Sequence, residues 1–93
     1  MTTTGTPLTA RFSDGSQAET AAYGDHILSL RVERAYPPGR PLELVVERPG
    51  QEPLSLSGRC IGSKKRPDGR FDVRLRMTNF TREARLFFEA HYA

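Results

Sequence analysis

Apolar and polar side chains alternate through residues 53–76, on both sides of a single turn at residues 64–69. The apolar positions are Leu54, Leu56, Gly58 and Cys60 before the turn and Phe71, Val73, Leu75 and Met77 after it. Because successive side chains of a strand point to opposite faces, this pattern predicts a β-hairpin with one buried face. The chain is thereby directed towards an antiparallel β fold.

The same alternation occurs in three earlier segments, at residues 8–12, 26–33 and 42–47. Turn signals rich in proline and glycine follow the last two of them, at residues 37–39 and 49–53. Residues 16–24 are interpreted as a polar connection with weak helical character around residues 17–22. Residues 1–6 are small and polar and are predicted to be disordered, which leaves residues 7–93 as a single domain.

The period changes near residue 80. Ala84, Phe87, Phe88 and His91 are spaced as one face of a helix, and either Thr81 or Asn79 can serve as its N-cap. We therefore expect a mainly β protein, a small antiparallel barrel of five to six strands, with a C-terminal α-helix over one open end. Leu86 points away from the helical stripe, which is compatible with a monomer or a weak dimer.

Several classes of protein are disfavoured by what the sequence contains. The chain has 93 residues and one cysteine, so an internal disulfide is excluded and a reducing, cytoplasmic location is expected. It has no apolar run of membrane-spanning length and no secretion signal at its start. Cys60 has inward parity and is predicted to be a buried hydrophobic residue.

No catalytic or metal-binding pattern is present in the sequence. His26 and His91 are far apart, and neither has cysteines or carboxylates at ligand spacing. There is also no glycine-rich phosphate loop and no nucleophile elbow. We predict no enzymatic activity, no catalytic residue, no metal and no cofactor.

The net charge of +3 is unevenly distributed. Residues 1–57 hold five basic and seven acidic side chains, a net charge of −2, whereas residues 58–76 hold seven basic and two acidic side chains, a net charge of +5. A basic hairpin favours an anionic partner, although it can equally be a solvated loop that maintains solubility. The candidate partner-binding residues are Arg59, Lys64, Lys65, Arg66, Arg70, Arg74 and Arg76.

One segment resembles a known family. Residues 30–33 and 36–44, which read LRVE and YPPGRPLEL, look like the strand, Pro-Pro-Gly turn and strand of PilZ domains. Residues 54–60, 71–77 and 79–85 are similar to the family's later strands and the entry to its C-terminal helix. The resemblance implies a bacterial, cytoplasmic, barrel-shaped regulator. Many members bind cyclic di-GMP and pass the signal to motility, polysaccharide or transcription machinery.

The ligand motifs of that family are not matched. Ligand-binding members carry RxxxR before the first barrel strands, whereas this chain has only Arg11 there; later matches at residues 66–70 and 70–74 lie in the hairpin. The family's [D/N]xSxxG motif would start at Asp25, and the serine and glycine positions would then be Ile27 and Leu30. The resemblance therefore implies a divergent domain without the usual cyclic di-GMP site.

Three functions remain open at this stage. The first is a non-enzymatic signalling or motility adaptor that binds a protein partner. The second is a cyclic di-GMP receptor with an altered site, for which the candidate residues are Arg11, Asp25, Arg31 and Arg34. The third is weak, salt-sensitive binding of single-stranded nucleic acid. Only Tyr23 and Tyr36, both assigned to connections, are expected to be free for stacking, so specific nucleic-acid binding is not expected.

Overall fold

The chain folds into a closed barrel of six strands followed by one helix, in a computed structural model that describes residues 6–92. The elements are β1 (Thr9–Phe12), β2 (Gln17–Gly24), β3 (Ile27–Val32), β4 (Pro41–Arg48), β5 (Gln51–Lys65), β6 (Phe71–Asn79) and α1 (Arg82–His91). The predicted fold class is confirmed. The disorder predicted for residues 1–6 falls, apart from Thr6, outside the described residues.

All neighbouring strands are antiparallel, in the order β1-β2-β3-β6-β5-β4, and β4 closes the barrel against β1. Strand β5 has 15 residues and makes this closure possible. Its first half pairs with β4 and its second half with β6, with a shift of register between Ser57 and Gly58. One long strand therefore belongs to both sides of the barrel.

The interpretation of residues 16–24 as a connection is wrong, because residues 17–24 form strand β2. Its buried positions, Ala18 and Thr20, alternate with more exposed ones, and it is hydrogen-bonded to β1 on one side and β3 on the other. Alanine, glutamine and glutamate have low intrinsic preference for strands. Pairing on both sides and burial of one face override that local preference here.

The interior is filled by the inward positions of every strand. Leu28, Leu30, Val73 and Leu75 have no exposed surface, and they belong to the adjacent strands β3 and β6. The inward parity predicted for the hairpin is confirmed, with Phe71 only partly buried at the edge of the core. Cys60 is 2% exposed, which confirms its prediction as a buried residue.

Helix α1 packs against one end of the barrel. Thr81 is the N-cap, as one of the two predicted alternatives had it, and its hydroxyl accepts a hydrogen bond of 3.1 Å from the Ala84 backbone N–H. Ala84 and Phe88 are fully buried, whereas Phe87 and His91 are half-buried. The predicted apolar face is therefore confirmed.

Two polar anchors at this end were not predicted. The Tyr92 hydroxyl is hydrogen-bonded to the buried hydroxyl of Thr20, which also accepts a 2.9 Å hydrogen bond from the Leu8 backbone N–H. Arg48 is 8% exposed. Its guanidinium donates to the Glu52 carbonyl at 2.8 Å and lies 5.3 Å from the centre of the Phe87 ring. These contacts connect the helix to β2 and to the β4–β5 turn.

Tyr36 covers the opposite end of the barrel. It is 3% exposed, its phenol donates a 2.9 Å hydrogen bond to Asp14, and Ser63 hydrogen-bonds both its backbone N–H and its carbonyl. The prediction that Tyr36 is a free aromatic residue is therefore wrong. The Pro-Pro-Gly segment that follows supplies the turn into β4, and Gly39 adopts the positive φ of 87° that glycine tolerates.

We expect substitution of Gly58 by alanine to destabilise the barrel. An added Cβ would lie 3.1 Å from the Arg76 carbonyl oxygen and 3.2 Å from the Leu75 Cβ, so the β5–β6 backbone would have to shift. Overpacking of this kind costs about 1–3 kcal/mol. Gly62→Ala is the matched control, because no heavy atom lies within 4 Å of its Cβ. Equal urea midpoints for the two variants would contradict the close approach.

We also expect stability to fall in alkali through the two tyrosines at the barrel ends. Burial raises the pKa of Tyr36 and of Tyr92 above the ordinary value of 10.0. Tyrosines of the unfolded chain then lose their protons at a lower pH than those of the folded chain. The contribution of the two phenols to the free energy of unfolding is therefore fully present below pH 10.0, and it is lost as pH rises through the folded pKa.

Tyr92→Phe tests this directly. Near neutral pH it should be about 1 kcal/mol less stable than the parent, because Thr20 loses its partner. The difference should shrink in alkali, where only the parent carries a phenol at position 92. Urea midpoints across the alkaline range measure it, and a constant difference would rule out the contribution of Tyr92.

Candidate functional site

The outer surface of β3, β6 and β5 gathers cations that are scattered in the sequence. Arg76 lies between Ile27 and Arg59, Arg74 lies between Ser29 and Gly62, and Asp72 lies between Arg31 and Lys64. We call the cations of this surface the basic face. It consists of Arg31, Arg59, Lys64, Arg74 and Arg76.

An open groove of about 520 Å³ crosses this face from β2 to β5. Its floor holds small side chains, and several residues of the basic face border it. The residues that line the groove include Ala22, Ser29, Arg31, Ile61, Gly62 and Arg74. Because a Cβ at Gly62 would meet open space, the glycine leaves room for a ligand without being required by the fold.

Two irregularities of strand pairing border the groove. The β2–β3 register shifts between Thr20 and Ala22, and the β5–β6 register shifts between Cys60 and Gly62. The residues inserted at the shifts are Ala21 and Ile61, and both line the groove. Since bulges bend a strand and redirect side chains, they explain how the groove presents Ile61, which is 36% exposed.

Two of the predicted partner-binding arginines are occupied within the chain. Arg66 approaches Asp72 at 3.1 Å and Asp68 at 3.3 Å, and Arg70 approaches Glu19 at 3.1 Å. A hydrogen bond from the Arg70 backbone N–H to Asp68 lowers the pKa of that carboxyl. Arg66 and Arg70 thus organise the hairpin turn, and Lys65 lies exposed beside them at the end of β5.

The pairing of Arg66 and Arg70 leaves Arg31 without a carboxylate at salt-bridge distance among residues 6–92. Arg31 lies opposite Glu19 on β2 and Asp72 on β6, but these two acids bind Arg70 and Arg66 instead. The Arg31 Nε is buried and has no hydrogen-bond partner among residues 6–92, which is uncommon and costly for a donor. Because the Nε has almost no accessible surface, an external anion would bind the other nitrogens of this guanidinium.

Arg59 and Arg76 lie directly opposite each other on β5 and β6. Like charges at directly opposed positions destabilise a sheet. Arg59 relieves part of the repulsion by donating a 2.7 Å hydrogen bond to the Gly39 carbonyl. No carboxylate of residues 6–92 forms an ion pair with Arg59, Arg74, Arg76 or Lys64 at salt-bridge distance. The basic face therefore retains most of its charge for an external anion.

The opposite side of the barrel has a different character. A second open groove of about 680 Å³ lies over β1, β4 and β5. Arg11 lines it together with Glu43, Glu47 and the exposed Val45, and the rest of the lining is uncharged. One cation and two carboxylates make this surface weakly acidic, so the positive potential of the protein is concentrated on the basic face.

The four residues predicted for an altered cyclic di-GMP site are not brought together. Arg11 lies on β1 and Arg31 on β3, with β2 between them, and Arg11 does not line the groove of the basic face. Asp25 lies in the β2–β3 turn beyond Ile27, and Ile27 and Arg31 alone are about 13 Å apart at the usual rise of a strand. Arg34 approaches Asp14 at 3.8 Å beside Tyr36. Only Arg31 borders the groove of the basic face.

Aromatic side chains do not form a stacking surface. Tyr23, predicted to be free in a connection, is half-buried at the end of β2, with its ring centre 5.5 Å from that of Phe80 and 5.8 Å from that of Phe88. None of the aromatic side chains in residues 6–92 is fully exposed. Base stacking supplies much of the affinity for single strands, and the basic face offers charge without a stacking surface among residues 6–92.

Comparisons with known proteins leave the family open. No protein-family model, curated protein or solved structure matches the chain. The resemblance to PilZ domains therefore stays a prediction. Within residues 6–92, no three histidine, cysteine, aspartate or glutamate side chains are grouped as metal ligands. No helix in that part of the chain has the length and apolar character needed to cross a membrane.

Sequence reasoning missed three members of this site. Arg31 was proposed only as a candidate residue for cyclic di-GMP, and Ala22 and Ile61 were not identified. The alternating pattern predicted only which face of a strand each residue lies on. It did not predict which strands would be neighbours. The two breaks in register could not be found from an uninterrupted alternating pattern, so the groove itself was not predictable.

We expect Arg76→Glu to be at least as stable as the parent. A glutamate at this position would face Arg59 and replace a repulsive cross-strand pair by an attractive one, a change of about 0.2–1 kcal/mol. Arg76→Gln should lie between the two proteins. The urea midpoints of the three proteins, measured in low and in high salt, give this order. The midpoints should converge in high salt, because salt screens the charges. A marked loss of stability in Arg76→Glu would show that the arginine is required by the fold.

Proposed function

We propose that this chain is a non-enzymatic adaptor domain of PilZ type that binds an acidic surface of a partner protein on its basic face. The observation that carries the proposal is the excess of positive charge on that face. Five cations lie on three adjacent strands, and their only acidic neighbour by strand pairing on β5 and β6, Asp72, is already bound to Arg66.

The shape of the face supports a protein partner. The groove is open and is bordered by mobile cationic side chains, so it can receive a surface from outside the barrel. Exposed charges of this kind accelerate encounter and select the partner more than they add affinity. The absence of exposed aromatic side chains among residues 6–92 speaks against nucleic acid as the anion.

The resemblance to PilZ domains supplies the setting of the proposal. A PilZ-like barrel without the family's ligand motifs fits a bacterial signalling or motility system, in which the domain connects other proteins in the cytoplasm. Fold and charge alone define only a small barrel with a basic face. The interaction experiment is designed to identify the partner and, through it, the pathway.

Charge reversal on the basic face tests the proposal. We expect Arg74→Glu with Arg76→Glu to abolish capture of the partner from a bacterial extract, because both exposed cations would become repulsive. Arg11→Glu with Arg82→Glu changes the net charge equally on exposed residues of other surfaces and should leave capture intact. Quantitative mass spectrometry of the captured proteins gives the result, and thermal unfolding verifies that both variants fold.

Equal capture by the two double variants would remove the basic face from the function. Equal loss in both would indicate that only net charge matters, which also contradicts a specific adaptor surface. Capture should further decline with ionic strength, because exposed charges are screened over a Debye length of about 8 Å at physiological salt.

Cyclic di-GMP is the second candidate, favoured by one observation. Arg31 lines a groove floored by small residues and has no carboxylate at salt-bridge distance among residues 6–92, so a phosphate could approach its guanidinium. We expect calorimetric titration to show no saturable heat at several hundred micromolar ligand, since Arg11, Asp25 and Arg34 lie elsewhere. Saturable heat in the micromolar range, lost in Arg31→Gln, would replace the adaptor proposal by a receptor with an altered site.

A further inference from the structure

We infer that the groove seats a short acidic peptide segment of the partner, with one carboxylate on Arg31 and one apolar side chain on Ile61. This inference rests on the proposed adaptor function and names the partner's chemistry at that face. Its observations are an arginine that lines the groove without a carboxylate at salt-bridge distance among residues 6–92, and an exposed isoleucine at another part of the groove.

Arg31 is prepared to receive a carboxylate. Its neighbours in the sheet, Glu19 and Asp72, are held by Arg70 and Arg66 at 3.1 Å each, so they do not neutralise it. Its side chain is half-buried and lines the groove. Because the Nε has almost no accessible surface, the terminal guanidinium nitrogens are the donors that a carboxylate in the groove would reach.

Ile61 supplies an apolar contact within a cationic surface. It is the inserted residue of the β5 bulge, and Gly62 beside it has open space where a side chain would stand. The floor across the groove, Ala22 and Ser29, is equally small. A purely electrostatic surface would need no such residue, whereas a partner's aliphatic side chain could pack on Ile61 over this floor.

The groove's dimensions set the length of the segment. It crosses four strands, β2, β3, β6 and β5, which spans about 14 Å at the usual spacing of strands. An extended peptide covers this distance with about four or five residues. Arg74 in the centre and Lys64 at the border can bind further carboxylates, so a glutamate-rich segment with one leucine satisfies both kinds of contact.

Two acetylated pentapeptides serve as probes, Glu-Glu-Leu-Glu-Glu and Glu-Glu-Ser-Glu-Glu. Titration of the ¹⁵N-labelled full chain at low salt, followed by NMR, measures even weak binding and locates it by amide shifts. We expect the leucine peptide to bind about fivefold more tightly, as burial of about one methylene group would give. The shifts should centre on Ser29, Ile61 and Arg74.

Substitutions separate the two contacts. Ile61→Ser should remove the preference for leucine while leaving the serine peptide unaffected, which is a double-mutant test of the contact. Arg31→Gln should weaken both peptides by a similar factor and reduce the salt dependence of binding. Val45→Ser, which alters an exposed apolar residue on the other side of the barrel, is the matched control and should change neither affinity.

The outcomes distinguish this inference from the proposed function. If both peptides bind the basic face equally and Ile61→Ser has no effect, the apolar contact is refuted while the electrostatic adaptor surface stands. Binding that Arg31→Gln leaves unchanged would refute the role of Arg31. If neither peptide binds at low salt, or if shifts appear away from β3, β5 and β6, both the segment and the anion-binding face are refuted.

Discussion

Barrel closure depends on the length and the changing partners of strand β5. With 15 residues this strand pairs first with β4 and then with β6, and the register with β6 shifts at Gly58. Glycine suits this position because the Arg76 carbonyl oxygen of β6 would lie only 3.1 Å from a Cβ. Further along, the same strand bulges at Ile61. The constraint that closes the core therefore also shapes the outer groove.

Charge on the outer face is governed by competition among arginines for few carboxylates. Arg66 and Arg70 lie at the hairpin turn and reach back to Asp72 and Glu19, the acids that strand pairing places next to Arg31. Each exposed pair contributes at most about 1 kcal/mol to stability. Their larger consequence is to leave Arg31 unsatisfied. A hairpin that looks uniformly basic in the sequence is thus divided into cations that organise the turn and cations that face solvent.

The parts that followed from the sequence are those with a strong local period. Alternation gave the inward face of β5 and β6, and the 3.6-residue spacing gave α1, with Thr81 as one of two N-cap alternatives. Strand β2 was missed because Ala18 and its polar neighbours carry a weak local signal, and its strand structure comes from pairing with β1 and β3. Arg48 and Tyr36 were missed because burial of a polar side chain depends on partners distant in sequence. Predicting the groove requires knowing which strands are neighbours, and alternation does not provide this.

The arrangement on the basic face divides recognition between two physical effects. Exposed cations such as Arg74 act over a Debye length, so they raise the rate of encounter with any acidic surface and respond to salt. Ile61 acts only in contact and is insensitive to salt, so it affects how long a bound partner stays. Cations alone would hold every polyanion with similar, weak affinity. Under the proposed function, a single apolar residue among these cations would let the barrel select among acidic surfaces. The like-charged Arg59–Arg76 pair shows that not every contact on this face favours the stability of the fold.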